Sequence, residues 1–294
     1  MEYQESERIS RWRPLIEDLK HTMYLWRKNK LAMIGTVIIL GFIIVAIFAP
    51  VLAPYDPYQQ NLHNRLAPPS REHLLGTDQF GRDVLSRIIW GTRIELKIIF
   101  LVTVISTAIG TIIGLISGYF GGAVDEILMR ITDMFLAFPS LVLAMAFAAA
   151  LGPSLTNAII AISVITWTVY ARLVRAETMK IKSTLYIEAI RALGAGTFRI
   201  LFLHILPMTI SPILVQMTLR MGTIILTAAG LGFLGLGAQP PTPEWGAMVS
   251  DGRLYMMNAW WISTFSGLAI ALVVLGFNLL GDGIRDILDP RLRR

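Results

Sequence analysis

The chain has 294 residues, of which 54% are hydrophobic and only 16% are charged, and its mean hydropathy is +0.61. A soluble domain carries about a quarter charged residues, so this composition excludes an ordinary soluble protein and indicates a membrane protein. The net charge of +6 gives no reason to expect a nucleic-acid partner, because the basic residues flank apolar segments, as they do in membrane proteins.

Six apolar segments are long enough to cross a membrane as helices, and they predict an all-α integral membrane protein. The predicted spans are 31–53, 95–119, 132–151, 155–174, 203–227 and 260–281. The 37 residues from Phe135 to Ala171 carry no charge, and Gly152-Pro153-Ser154 predicts a tight turn that divides them into two helices. Pro207 and Pro212 predict a kink in the fifth span.

The distribution of Lys and Arg predicts the orientation of these spans. Counted from a cytoplasmic N-terminus, one side holds 18 of these residues and the opposite side five, which predicts that both termini are cytoplasmic. The predicted organisation is a cytoplasmic tail with an interfacial helix at 1–30, the first span at 31–53, an extracytoplasmic loop with a second interfacial helix at 54–92, a core of five spans at 93–282 and a cytoplasmic tail at 283–294.

Two local patterns add detail to the first half of the chain. Around 84–89 an apolar stripe faces away from Arg82, Asp83 and Arg87, which predicts a helix lying on the outer membrane interface. In the second span Gly110, Gly114 and Gly118 recur every four residues, and this spacing lets a second helix backbone approach closely.

The core includes a cytoplasmic loop at 175–202, in which a short helix is predicted from Leu185 to Leu193. Gly194 follows at the position of a left-handed C-terminal cap. The helix has an aromatic and aliphatic stripe and two charges elsewhere on its surface; the stripe is Tyr186, Ala189, Ile190 and Leu193, and the charges are Glu188 and Arg191. Such a helix suits a groove on a partner protein, and packing against its own spans is an equally good physical alternative.

The same residues resemble the EAA loop of bacterial ABC importer permeases. Glu188-Ala189-Ile190, Gly194 and Leu206-Pro207 follow that pattern, with Ile190 in place of its second Ala and His204 in place of an Ile. The His204 departure matches the C-type permease subunits of dipeptide, oligopeptide and nickel importers. Four further stretches resemble these subunits in the same order: 76–87, 233–237, 240–246 and 278–290.

This resemblance implies the type I importer permease fold, with six spans and a cytoplasmic coupling helix, in a prokaryotic inner membrane. It implies three kinds of partner besides membrane lipid: a homologous B-type permease subunit, two cytoplasmic ABC ATPase subunits that bind ATP and Mg²⁺, and an extracytoplasmic binding protein. It assigns ATPase coupling to Tyr186, Glu188, Ala189, Ile190, Arg191, Leu193 and Gly194.

The Pro-rich outer loop suggests the docking surface for the binding protein. We expect Pro241, Pro243 and Trp245 to contact it, because stiff loops lose little entropy when they are ordered. Stiffening of the loop for its own sake is the alternative.

The sequence lacks the residues that several other functions require. No Gly-x-x-x-x-Gly-Lys-Ser/Thr occurs, so ATP is expected on another chain and no cofactor on this one. Cysteine is absent and the four histidines have no metal-ligand spacing, so neither catalysis nor a metal site is expected. An intramembrane enzyme needs a nucleophile with a base, and an ion-coupled carrier usually needs buried ionisable groups; the spans offer few of either. Peptide is the favoured substrate, with oligosaccharide and nickel as alternatives.

Arg220 is the exception among these nearly uncharged spans. It lies 17 residues after Leu203, or roughly 25 Å into a hydrocarbon core about 30 Å thick. Its guanidinium cannot lose its proton there, so it must face a partner or water. Two interpretations remain open: the side chain extends to the outer interface, or it lines the translocation pathway and attracts an anionic group of the substrate.

Overall fold

The computed structural model describes residues 23–24 and 26–288, and the regular elements of this part of the chain are helices. They are α1 (Lys30–Leu52), α2 (Val84–Phe120), α3 (Gly122–Leu136), α4 (Ser140–Leu151), α5 (Leu155–Lys182), α6 (Leu185–Ala192), α7 (Leu206–Phe233), α8 (Trp245–Arg253) and α9 (Trp261–Leu288). A 3₁₀ turn at Leu62–Asn64 and an isolated bridge between Thr77 and Asp83 lie in the first long loop. The predicted N-terminal tail with its interfacial helix at 1–30 lies largely outside the described residues, and so does the second half of the predicted tail at 283–294.

Five helices of the described chain are long and apolar enough to cross a membrane: α1, α2, α5, α9, and α7 together with the turns that precede it. The pair α3 and α4 passes the same test only jointly, because the two are bent by 91°. The third span predicted over 132–151 therefore does not form one straight helix, because it is broken between Leu136 and Ser140. Pro139 explains the break, since a proline disfavours helical geometry at the residue before it and cannot donate a backbone hydrogen bond.

Short polar side chains fix where the spans begin. Asn29 accepts the Ala32 N–H at the start of α1, Asp83 accepts the Ser86 N–H at the start of α2, and Ser154 accepts the Asn157 N–H at the start of α5. Each bond satisfies one of the free N–H groups at a helix N-terminus. The predicted turn at Gly152-Pro153-Ser154 is confirmed, with Gly152 at φ +91° between α4 and α5.

The predicted close approach along the Gly110, Gly114 and Gly118 stripe is also confirmed, and its partner is α5. A Cβ atom at Gly114 would lie 2.7 Å from the Ala171 carbonyl oxygen, and one at Gly118 would lie 2.7 Å from that of Arg175. The two helix backbones are thus in direct contact. In a lipid environment this packing is a main source of helix association, because the apolar side chains gain little from leaving the lipid.

Three apolar clusters follow one another along the bundle. The first surrounds Trp245 and Trp261 at the end where the long loops lie. The second fills the middle between α2, α4, α5 and α7. The third lies at the opposite end and includes Ile187 of α6. The loop helix α6 is therefore attached to the end of the bundle that the charge distribution assigns to the cytoplasm.

The predicted outer interfacial helix is wrong, because residues 84–89 belong to the long helix α2 and their polar neighbours are buried. The Arg87 guanidinium donates to the carbonyl oxygens of Pro57 at 3.0 Å and Pro241 at 3.2 Å, while Arg82 donates to Asp78 at 2.6 Å. The segment 76–87 thus forms a buried ionic cluster that ties the two outer loops together. Helical spacing alone does not distinguish such a buried polar face from one exposed to water.

Candidate functional site

The helix α6 is attached to the bundle by one fully buried side chain. Ile187 is 0% exposed and packs in the third apolar cluster, with Ile190 partly buried beside it. Ile190 was predicted on the docking stripe, but it packs against its own chain because the helix needs two adjacent apolar positions to bury one face. Ile187 was missed, since it lies outside the stripe that the sequence suggested.

The end of α6 is a complete Schellman motif. Gly194 has φ +82°, its N–H donates to the Arg191 carbonyl at 3.0 Å, and the Ala195 N–H donates to the Ile190 carbonyl at 3.3 Å. These two bonds satisfy carbonyl groups that a helix end otherwise leaves free. The predicted left-handed cap at Gly194 is therefore confirmed, and it stabilises a helix of only eight residues.

The outward face of α6 is apolar and uncovered. Leu185 is 82% exposed, Leu193 is 86% exposed and Tyr186 is 51% exposed, and the backbone turns towards Phe198, which is 72% exposed. Glu188, Ala189 and Arg191 are exposed on the same helix. An apolar patch rimmed by charges is typical of a protein interface, and this one lies beyond the ends of the spans, on the loop.

A polar contact joins α6 to the base of α7. The Tyr186 hydroxyl and His204 Nδ1 are 2.9 Å apart and share a hydrogen bond. His204 lies in the π-helical turn Ile200–Ile205, which precedes Pro207 and runs directly into α7. The sequence showed both residues in the motif but gave no sign of their contact. The contact therefore connects α6 to the base of the helix that carries Arg220.

At the other end of the bundle, two of the three predicted docking residues are buried. Trp245 is 1% exposed and donates its indole N–H to the Ile88 carbonyl at 3.1 Å, and Pro243 is buried beside it. Their side chains are therefore core contacts rather than docking contacts, because the large Trp245 ring at the start of α8 gains most when it is buried. Pro241 is exposed. Further exposed apolar side chains lie nearby in the turn after α8: Leu254, Met256 and Met257.

Arg220 lines a cavity of about 280 Å³. The walls are formed by α5, by α7 and by the break between α3 and α4, including Phe138 and Ser140. Apart from Arg220, the polar side chains of the lining are hydroxyl groups, from Ser140, Thr166, Thr168, Thr223 and Thr227. The cavity lies level with the second apolar cluster, in the middle of the bundle.

The sequence was compared with known families and proteins. Residues 110–294 match the family described as the inner membrane component of binding-protein-dependent transport systems, and residues 20–69 match the N-terminal transmembrane domain of oligopeptide transport permease C. The chain belongs to this family of ABC importer permeases. It is a transport permease of the C type, not an enzyme.

Relatives of this permease match along nearly its whole length. It is 48% identical to the dipeptide transport system permease protein DppC of Alkalihalophilus pseudofirmus, over 97% of this chain and 91% of that protein. It is 46% identical to the glutathione transport system permease protein GsiD of Escherichia coli, over 91% of this chain and 89% of that protein. Its fold resembles an inward-facing MetNI methionine ABC transporter chain, with a TM-score of 0.57 at 20% identity, over 68% of this chain and 96% of the other.

The permease also contains a buried carboxyl group at the end of the bundle where the long loops lie. Glu244 is 1% exposed and accepts the backbone N–H groups of Gly246 at 2.8 Å and Ala247 at 2.7 Å, which caps α8. Gly232 leaves the space for it, because a Cβ atom there would overlap the carboxyl group. Burial raises the pKa of the Glu244 carboxyl to about 7. Sequence reasoning missed this residue, which looked like part of a loop motif.

The raised pKa makes the stability of the permease depend on pH. The Glu244 carboxyl neighbours the fully buried carboxyl of Glu95, and its pKa of about 7 in the folded protein lies above the value of about 4.3 for an unfolded glutamate. Stability is therefore full at low pH and falls as the pH rises between these two values. We expect the thermal denaturation midpoint of the purified importer to decrease from about pH 5 to about pH 8.

The control variant is Glu244→Gln, whose amide does not titrate. It should be less stable than the parent near pH 5, because one carbonyl oxygen must serve two N–H groups, and its midpoint should change less with pH. Equal slopes for the parent and the variant would contradict the role of Glu244.

Proposed function

We propose that this permease is the C-type membrane subunit of an importer for di- or oligopeptides, with both termini in the cytoplasm. A homologous B-type permease would complete the pathway, two cytoplasmic ABC ATPases would bind ATP and Mg²⁺, and an extracytoplasmic binding protein would deliver the substrate. The assignment of peptides as the substrate class is supported by the sequence identity of 48% to a dipeptide permease along 97% of the chain.

The coupling site in this proposal is the outward face of α6. Leu185, Tyr186 and Leu193 are exposed there, and burial of these side chains in a cleft of the ATPase would provide the affinity. The position of the helix in that cleft would be set by Glu188, Ala189, Arg191 and the Gly194 cap. Ile190 would support the helix from beneath. Closure of the ATPases on ATP would pull α6, and the Tyr186–His204 bond would transmit that displacement to α7.

The docking site for the binding protein lies at the opposite end in this proposal. Pro241 and the exposed turn with Leu254, Met256 and Met257 offer the uncovered apolar surface there. Trp245 and Pro243 support that surface from below.

Reconstitution of the complete importer in liposomes tests the proposed function. We expect accumulation of a labelled dipeptide that requires ATP, the binding protein and both permeases, and no accumulation by this chain alone. A labelled oligosaccharide and Ni²⁺ serve as alternative substrates. Preferred uptake of either would contradict the peptide assignment. Uptake by this chain alone in response to an ion gradient would contradict the proposal that separate ATPases supply the energy, and it would indicate a secondary transporter.

A further inference from the structure

The cavity beside Arg220 has the size and position of a substrate site. Its volume of about 280 Å³ is close to the lower end of small-molecule pockets, which span about 300–1,000 Å³. One wall is the non-helical backbone at 137–139, between α3 and α4. Backbone of this kind is tolerated at membrane depth only where it is buried in protein or lines a wet cavity, and transporters often place substrates at such broken helices.

Arg220 is the one charged residue among the side chains that line the cavity. Within the described residues, no carboxylate lies within 4.0 Å of its guanidinium. From Arg220, α7 continues for 13 residues to Phe233, a rise of about 20 Å, which is farther than an arginine side chain extends. The guanidinium therefore does not reach the far end of its own helix, and the threonines of the cavity that it lines give it polar surroundings.

The hydroxyl groups near Arg220 are arranged as acceptors. The Thr166 hydroxyl donates to the Ile162 carbonyl at 2.7 Å, and the Thr227 hydroxyl donates to the Thr223 carbonyl at 2.8 Å. Since each hydroxyl has a single hydrogen and uses it within its own helix, its oxygen is left to accept hydrogen bonds. The cavity thus combines one fixed cation with neutral acceptors. This set complements a carboxylate that is close to N–H groups, as at the C-terminus of a peptide.

We propose that the cavity is a substrate subsite in the translocation pathway, where Arg220 binds the free carboxylate of a peptide in transit. This inference rests on the proposed peptide-import function and deepens it. The subsite holds its ligand weakly, because a single ion pair flanked by threonines lets the peptide leave again. An uncharged oligosaccharide would gain nothing from the guanidinium.

The absence of cysteine from the chain allows a direct test. Thr227→Cys places a thiol of similar size in the cavity, and its reaction with two thiosulfonate reagents of similar size, one anionic and one cationic, is followed by the mass of this chain in the complete, detergent-solubilised importer. We expect the anionic reagent to react faster. Adding Arg220→Gln should lower the ratio of anionic to cationic rates by about tenfold, since the guanidinium acts over a short distance in a poorly screened site.

The control is Leu226→Cys, one residue away on α7 and 60% exposed in the parent chain. The ratio of anionic to cationic labelling rates of Leu226→Cys should not change when Arg220→Gln is added. Excess dipeptide should slow the labelling of Thr227→Cys more than the same dipeptide with an amidated C-terminus does, and Arg220→Gln should remove the difference.

Three results would overturn the subsite: no labelling of Thr227→Cys, a rate ratio that is independent of Arg220, or equal protection by the acid and the amide. The second of these would leave extension of Arg220 to the interface as its role. A failure of peptide import by the reconstituted parent, with the anion preference intact, would contradict the peptide function and leave an anion subsite for another substrate.

Discussion

Gly194→Asp should reduce both uptake and substrate-stimulated ATP turnover by more than tenfold while the permease still folds. The cap position is open, because a Cβ atom added at Gly194 would have no neighbouring atom within 4 Å, and aspartate adopts the left-handed conformation more readily than most residues. The carboxylate would, however, lie beside Leu193 on the face that we assign to the ATPase cleft. Burying an unpaired charge in an interface costs several kcal/mol, and about 1.4 kcal/mol corresponds to tenfold in affinity.

Gly194→Asn is the matched control, because asparagine has the same shape and tolerance of positive φ without the charge. We expect it to keep more than half of the parent activity, measured in the same reconstituted complex. Equal losses in the two variants would place the effect in the backbone of the cap. Normal ATPase docking and full turnover with Gly194→Asp would contradict the assignment of α6 as the coupling helix.

Gly114→Leu should prevent assembly of the bundle, with accumulation in the membrane lowered by more than tenfold. Its Cβ atom would lie 2.7 Å from both the Ala171 carbonyl oxygen and the Val174 Cβ, and the rest of the leucine has no space between α2 and α5. The two helices would have to separate along their closest contact, which also carries Gly110 and Gly118.

The comparison variant is Gly41→Leu, because no atom lies within 4 Å of a Cβ atom at that position of α1. It should accumulate like the parent, since an added apolar side chain in a spanning helix is well tolerated in lipid. Membrane accumulation and thermal stability after detergent extraction provide the measurement. A Gly114→Leu protein that accumulates and melts like the parent would show that the glycine seam does not hold α2 to α5.

The spans and the helix cap were predictable because the physics that sets them is local. Apolar length identifies α1, α2, α5, α7 and α9, and Gly194 marks the end of α6 through its backbone freedom alone. The break at Pro139 was missed because 132–151 is uniformly apolar, and hydropathy is insensitive to a bend.

The errors at the site arose where tertiary contacts decide burial. Trp245 follows a Pro-rich stretch that is typical of a loop, and Arg87 belongs to a stripe that is typical of an exposed helix face. Both side chains are nevertheless buried, because they contact segments that are distant in sequence. The Tyr186–His204 bond and the cavity beside Arg220 depend on which helices become neighbours. A single sequence carries no direct signal for which helices are neighbours. Two interpretations of Arg220 therefore remained open from the sequence: extension to the outer interface, or a place in the translocation pathway.

The unbroken length of α2 has a mechanical consequence. Its 37 residues rise by about 55 Å, well beyond a hydrocarbon core of about 30 Å. Arg87 fastens its first turn to both outer loops, and at the other end Ser117 bonds to Asp125, which also pairs with Arg175 of α5. The helix therefore joins the loops at one end of the bundle to the salt bridge at the other end within a single piece of backbone. A displacement at one end would reach the other along α2 itself, in addition to the Tyr186–His204 contact.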